Sequence, residues 1–158
     1  MEELQLIIYP NPILLKKSET VELTTEIKKF CLDMEEFYRQ GLTWGKPVGL
    51  AAPQVGKNWR IFIVLGEIFI NPEILWTPNG PKTEFLEGCY SLEQGKFDYK
   101  VSRPYSVTLK WTDLNGETHT KRFKGNEAQI ILHEFDHLEG KLCCGESYPQ
   151  PVQVDGLV

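Results

Sequence analysis

Long apolar runs are missing from this sequence. Stretches such as residues 61–65 and 130–132 are short, well under the ~20 residues that a membrane-spanning helix needs, so no membrane role is expected. Positive charge is also in deficit: 17 Lys and Arg stand against 22 Asp and Glu, a net charge of -5. A chain with pI ≈ 5.3 has no general attraction to phosphate backbones, which argues against direct nucleic-acid binding. Cysteine is sparse, with 4 at irregular spacing (Cys31, Cys89, Cys143 and Cys144), too few to read as a disulfide scaffold. The opening Met1-Glu2-Glu3-Leu4-Gln5 lacks the basic residues of a signal or transit peptide. The expectation is a cytoplasmic protein with reduced thiols. Neither repeats nor a linker interrupt the 158 residues, and 41% hydrophobic with 25% charged content suits one globular domain spanning 1–158.

Within that frame the periodicity predicts an α+β fold. From residue 24 to 40 the apolar Ile27, Phe30, Cys31, Met34, Phe37 and Tyr38 recur at helical spacing, and Gly41 supplies a stop. Cys31 lies on that stripe and reads as a small buried hydrophobe. Residues 60–65 and 68–70 are β-branched and aromatic, which predicts two strands, the second ending at Asn71-Pro72. Residues 107–112 and 118–123 flank Asp113-Leu114-Asn115-Gly116 as an antiparallel ribbon. Asn126-Glu127-Ala128-Gln129 reads as a capping box that opens a second helix running to Gly140.

That second helix holds His133-Glu134-Phe135-Asp136-His137, an H-E-x-x-H pattern. Residues at i and i+4 share a helix face, so both imidazoles can reach one ion while Glu134 can reach a water beside it. With 3 His in the chain such a match seldom arises by chance. His119, the remaining one, reads as a surface residue. A hydrolytic metal site takes three protein donors and leaves one position open. Two residues offer the third donor: Glu146 downstream, or Cys89 in Glu87-Gly88-Cys89-Tyr90-Ser91-Leu92 upstream. A zinc-dependent endopeptidase would use Glu146, whereas a peptide-binding module without catalysis would not need Glu134. The adjacent Cys143-Cys144 pair reads as free thiols near the helix end.

Three blocks together resemble the peptide deformylase family: Val48-Gly49-Leu50-Ala51-Ala52-Pro53-Gln54, Glu87-Gly88-Cys89-Tyr90-Ser91-Leu92 and His133-Glu134-Phe135-Asp136-His137-Leu138-Glu139-Gly140. Tyr9-Pro10-Asn11-Pro12 and Ile70-Asn71-Pro72-Glu73-Ile74 add to the likeness. The resemblance implies antiparallel sheets around a central metal-binding helix, with an N-terminal helix, and hydrolysis of the N-formyl group from the initiator methionine of nascent peptides at the ribosome exit by a monomer. It implies that Cys89, His133 and His137 hold one divalent ion, natively Fe²⁺ with Zn²⁺, Ni²⁺ or Co²⁺ able to substitute. It assigns Glu134 as general base and then acid toward a metal-bound water, and the Gln54 amide and Tyr90 N–H as donors to the developing oxyanion. Val48, Gly49, Glu87, Gly88 and Ile130 match positions around the substrate, and Asp136 with Arg103 matches an ion pair behind the metal helix.

The sequence departs from the family pattern in places. Pro47 stands where the first block usually begins with Gly, and Gln129 and Leu132 replace the Arg and Gln that commonly precede the metal motif. Residues 147–158 lack helical periodicity, as in short members that lack the usual C-terminal helix, some of them encoded by bacteriophages. A phage source would place the enzyme in the host cytoplasm.

Overall fold

The computed structural model describes residues 3–41, 47–92, 95, 97–144 and 152–153. Among the described residues two α-helices and two antiparallel sheets make an α+β fold. Helix α1, Thr25–Gln40, starts where Thr24 Oγ1 accepts from the Ile27 N–H at 3.3 Å and stops at Gly41, whose φ of 74 lies in the left-handed region. The first sheet has the order β1-β2-β3-β6-β7, with β1 at Gly49–Ala51, β2 at Ile61–Val64, β3 at Glu67–Trp76, β6 at Ser106–Thr112 and β7 at Thr118–Lys124. The second joins β4, Thr83–Glu87, to β5, Phe97–Arg103, and then to β8, Val152–Gln153.

The continuous apolar run of β2 follows from its being covered on both faces. Ile61 and Ile63 pack with Leu50, Ile68 and Ile70 against Ile27, Phe30, Cys31 and Met34 of α1. Phe62 and Val64 face the other way, onto helix α2, Gly125–Leu138, where they meet Phe69, Leu109, Ala128, Ile131 and Leu132. The sheet is thus a partition, and α2 lies along its second face. Arg60 secures the far end of that helix: its Nη1 donates to Leu138 O at 3.1 Å and pairs with Glu139 at 2.7 Å.

Two boundaries differ from the sequence reading. Strand β3 does not end at Asn71-Pro72 but runs to Trp76. The missing N–H of Pro72 falls in a register shift against β6 between Ile70 and Glu73. There Asn71 adopts φ 50, and its side-chain amide accepts from Val21 N–H at 2.9 Å and donates to Val21 O at 2.7 Å. Helix α2 has Lys124 as its N-cap with no side-chain capping bond, so Asn126 to Gln129 is not a capping box. Gly125 makes the turn at φ 60, its N–H donating to Tyr105 O at 2.8 Å, and the Gln129 amide is engaged elsewhere. The ribbon of β6 and β7 forms as the alternation predicts, with Asp113 Oδ1 accepting from the N–H groups of Asn115 and Glu117. Among the described residues no helix is long and apolar enough to cross a membrane. Glu146 and the tail 147–158, β8 apart, lie outside the described residues.

Candidate active site

Helix α2 presents His133 and His137 one turn apart, their rings 5.1 Å between centroids. Cys89 reaches them from the loop after β4. One donor atom from each of Cys89, His133 and His137 lies within 4.8 Å of the other two, and Cys89 Sγ stands 3.5 Å from His137 Nε2. A tetrahedral ion bonded to sulfur at about 2.3 Å and to nitrogen at about 2.05 Å sets those two atoms about 3.5 Å apart. The donor set therefore fits a divalent ion without rearrangement of this pair.

Behind His133 lies a buried ionic network. Glu87 Oε1 accepts from His133 Nδ1 at 2.9 Å, with the proton placed on that nitrogen by the pairing, which leaves Nε2 free to ligate. Arg103 grips the same carboxylate with both Nε and Nη2 at 2.6 Å and extends Nη1 to Asp136 at 2.9 Å. Gln129 Nε2 adds a fourth contact, 3.3 Å from Glu87 Oε2. Burial alone would raise the Glu87 pKa, but hydrogen bonds from Arg103 and His133 overcome it and hold the carboxyl at about 2. Burial works against a charge on His133 too, yet the Cys89 and Glu87 contacts keep its pKa well above the ordinary value. An ion held at Nε2 would take the place of a second proton there and leave the Nδ1 proton on Glu87. His137 has no such support: burial first, then the charges of His133 and Arg103, hold it well below, so it is neutral.

Glu134 sits beside this set. Its carboxylate is buried, with Oε1 lacking a hydrogen-bond partner among the described residues, and burial pushes its pKa up to about 7. Gly49 of β1 makes room for it: a Cβ at that position would lie 2.5 Å from Glu134 Oε2. The sequence suggests Gly49 as a substrate neighbour, and the structure adds this second reason for glycine. Gln54 is 3% exposed. Its Oε1 accepts from Ala51 N–H at 3.0 Å, which turns Nε2 toward Cys89 Sγ at 3.5 Å and Ser91 Oγ at 3.3 Å.

These groups open on a cavity of about 400 Å³ lined by Val48, Gly49, Gln54, Glu87, Gly88, Cys89, Tyr90, Ile130, His133 and Glu134, with Pro47 and Leu86 at its edge. Val48 and Leu86 are half exposed there. Leu132 points instead into the core under the sheet. His119 is apart from the site, paired with Asp113 at 2.6 Å on the β6–β7 ribbon. Ser91, fully buried and touching Gln54, escapes the sequence reading because a lone serine has no pattern of its own. The bridging part played by Glu87 escapes it too: a glutamate in a β-strand gives no sign that it will meet a helix 46 positions away.

The polypeptide deformylase family model matches residues 3–150. The chain belongs to the peptide deformylase family. As a deformylase it is an enzyme, and its relatives span nearly all of it. The peptide deformylase of Dictyoglomus turgidum is 39% identical over 137 residues, covering 84% of each chain. Among solved deformylase structures, that of Plasmodium falciparum in complex with an inhibitor is 36% identical at a TM-score of 0.77, over 88% of this chain and 86% of that one. A probable peptide deformylase from Synechococcus phage S-SSM7 is 31% identical with a TM-score of 0.77, over 89% and 97%.

Proposed function

We propose that this deformylase hydrolyses the formyl C–N bond of N-formylmethionyl nascent peptides, using a divalent ion held by Cys89, His133 and His137. The observation that supports this reading most is the meeting of Cys89 Sγ with the two imidazoles beside a buried, unpartnered carboxylate oxygen of Glu134. Such an ion, Fe²⁺ in the native enzyme with Zn²⁺, Ni²⁺ or Co²⁺ as substitutes, supplies a Lewis acid that acidifies water and polarises a carbonyl.

The chain's own residues do the rest. Glu134 accepts the proton of the attacking water at its carboxylate and returns it to the departing methionine amine, so that formate and a free N-terminus leave. Burial suits Glu134 to both tasks, because a carboxyl poised near neutrality gives up its proton as readily as it takes one. Gln54 Nε2 and the Tyr90 N–H donate to the formyl oxygen as it gains charge, and Ala51 N–H keeps the Gln54 amide from flipping. Val48 and Ile130 give apolar walls for the methionine side chain, while Gly49 and Gly88 let the extended peptide approach. Glu87, braced by Arg103 and through it by Asp136, holds the His133 ring. The enzyme acts as a cytoplasmic monomer of one domain, 1–158, on chains emerging from the ribosome.

Formate release from formyl-Met-Ala-Ser by the anaerobically Fe²⁺-loaded protein tests this reading. Release by the wild type, with loss of both bound metal and turnover in Cys89→Ala, is the expected result. No release from fully metallated wild type overturns it.

A further inference from the structure

Three residues of α2 form a polar stripe toward β4 and β5: Gln129, His133 and Asp136, at i, i+4 and i+7. Each bonds the Glu87–Arg103 pair. Gln129 Nε2 and His133 Nδ1 contact the two oxygens of Glu87, and Asp136 accepts from Arg103. Glu87 thereby uses four contacts, two on each carboxylate oxygen, which accounts for all four of its lone-pair directions. Three of these contacts come from the Arg103 guanidinium and the His133 ring. The fourth is a neutral amide at a position where this family commonly carries Arg, and it borders the cavity.

We propose that Gln129 is a positioning residue for the metal centre: by fixing Glu87 Oε2 to the same helix that carries His133, it sets the orientation of the His133 ring and the affinity for the ion. Arg103, on β5, clamps the carboxylate from the strand side and reaches α2 only through Asp136. The Gln129 amide adds a second α2 donor beside His133, one on each carboxylate oxygen, so both oxygens of Glu87 are tied directly to the helix. This rests on the reading that Cys89, His133 and His137 hold a divalent ion.

The test is metal affinity, read with Co²⁺ and Zn²⁺ alone against a chromophoric chelator, together with the visible bands of the Co²⁺ protein. Gln129→Met keeps the length of the side chain and loses its donor. We expect Co²⁺ and Zn²⁺ to bind about tenfold more weakly, the low end of the usual range for partners of ligating histidines, with displaced Co²⁺ bands. Gln129→Arg restores an N–H donor onto Glu87 and should return affinity and spectrum to those of the wild type. Gln129→Ala gives the same reading should the methionine variant fail to fold. Wild-type affinity and unchanged bands in Gln129→Met, while Glu87→Gln binds weakly, would overturn the proposal and leave Gln129 as cavity wall. Wild-type Co²⁺ binding by Cys89→Ala would instead overturn the donor set itself, a separate result.

Discussion

Gly49 and Glu134 show how far one hydrogen atom decides the chemistry of this site. With a methyl group at position 49 the contact to Glu134 Oε2 falls to 2.5 Å, closer than unbonded atoms allow, and the carboxylate has to move. A displacement of about 1 Å in a catalytic group costs about 10²-fold in rate. Gly49→Ala is therefore expected to lose about that much kcat/KM while its metal content, measured by elemental analysis, stays at the wild-type level. Glu134→Gln keeps the volume and removes the proposed base, and the expected loss is about 10²–10⁴-fold in kcat. Metal retention again separates lost chemistry from a lost site. In both variants formate release is the measurement.

The β6–β7 ribbon gives the element scale its test. Asp113 serves two functions there: Oδ1 caps the turn and Oδ2 meets His119. The His119 contact, assisted by the N–H groups of Glu117 and Asn115, holds its carboxyl below the ordinary value. A lowered folded pKa means stability that is present above the unfolded value near 3.8 and fades as pH falls through the lower folded one. Asp113→Asn should have a lower urea midpoint than the wild type at pH 6, and the gap should close as the pH drops below 4. A gap that stays constant with pH would assign the whole effect to lost turn geometry. The same ribbon was legible in the sequence because its alternation and turn residues are local signals, as were the α1 stripe and Gly41. Strands β4 and β5 were not. β4 is mostly exposed, with little buried before Glu87, so it lacks the two-residue rhythm that marks a half-buried strand. The start of α2 misled for a related reason: Asn126 and Gln129 have the residue types of a cap, but the Glu87 carboxylate is a stronger partner for the Gln129 amide than the helix's own backbone. The metal donors were legible as residue types at a spacing; that Cys89 meets the histidines depends on the tertiary path of the chain.

At the scale of the molecule the donor set joins parts that share no hydrophobic cluster. Cys89 packs with Leu14, Leu92, Tyr99, Leu142, Cys143 and Cys144, whereas the helix bearing the histidines packs through Ile131 with Phe62 and Phe69. An ion held between them binds the folded state only, so saturating Zn²⁺ at 100 times its Kd should add about 2.7 kcal/mol to unfolding. A rise in melting temperature for the wild type, absent in Cys89→Ala, is the expected outcome of a thermal scan. Cys89 and His137 are 48 positions apart, and this spacing has a consequence for how the chain is made. A growing chain that has reached only Cys89 offers one donor of the three. The histidines follow after β5, β6 and β7 have been synthesised, so the three donors are first present together only when most of the chain has been made.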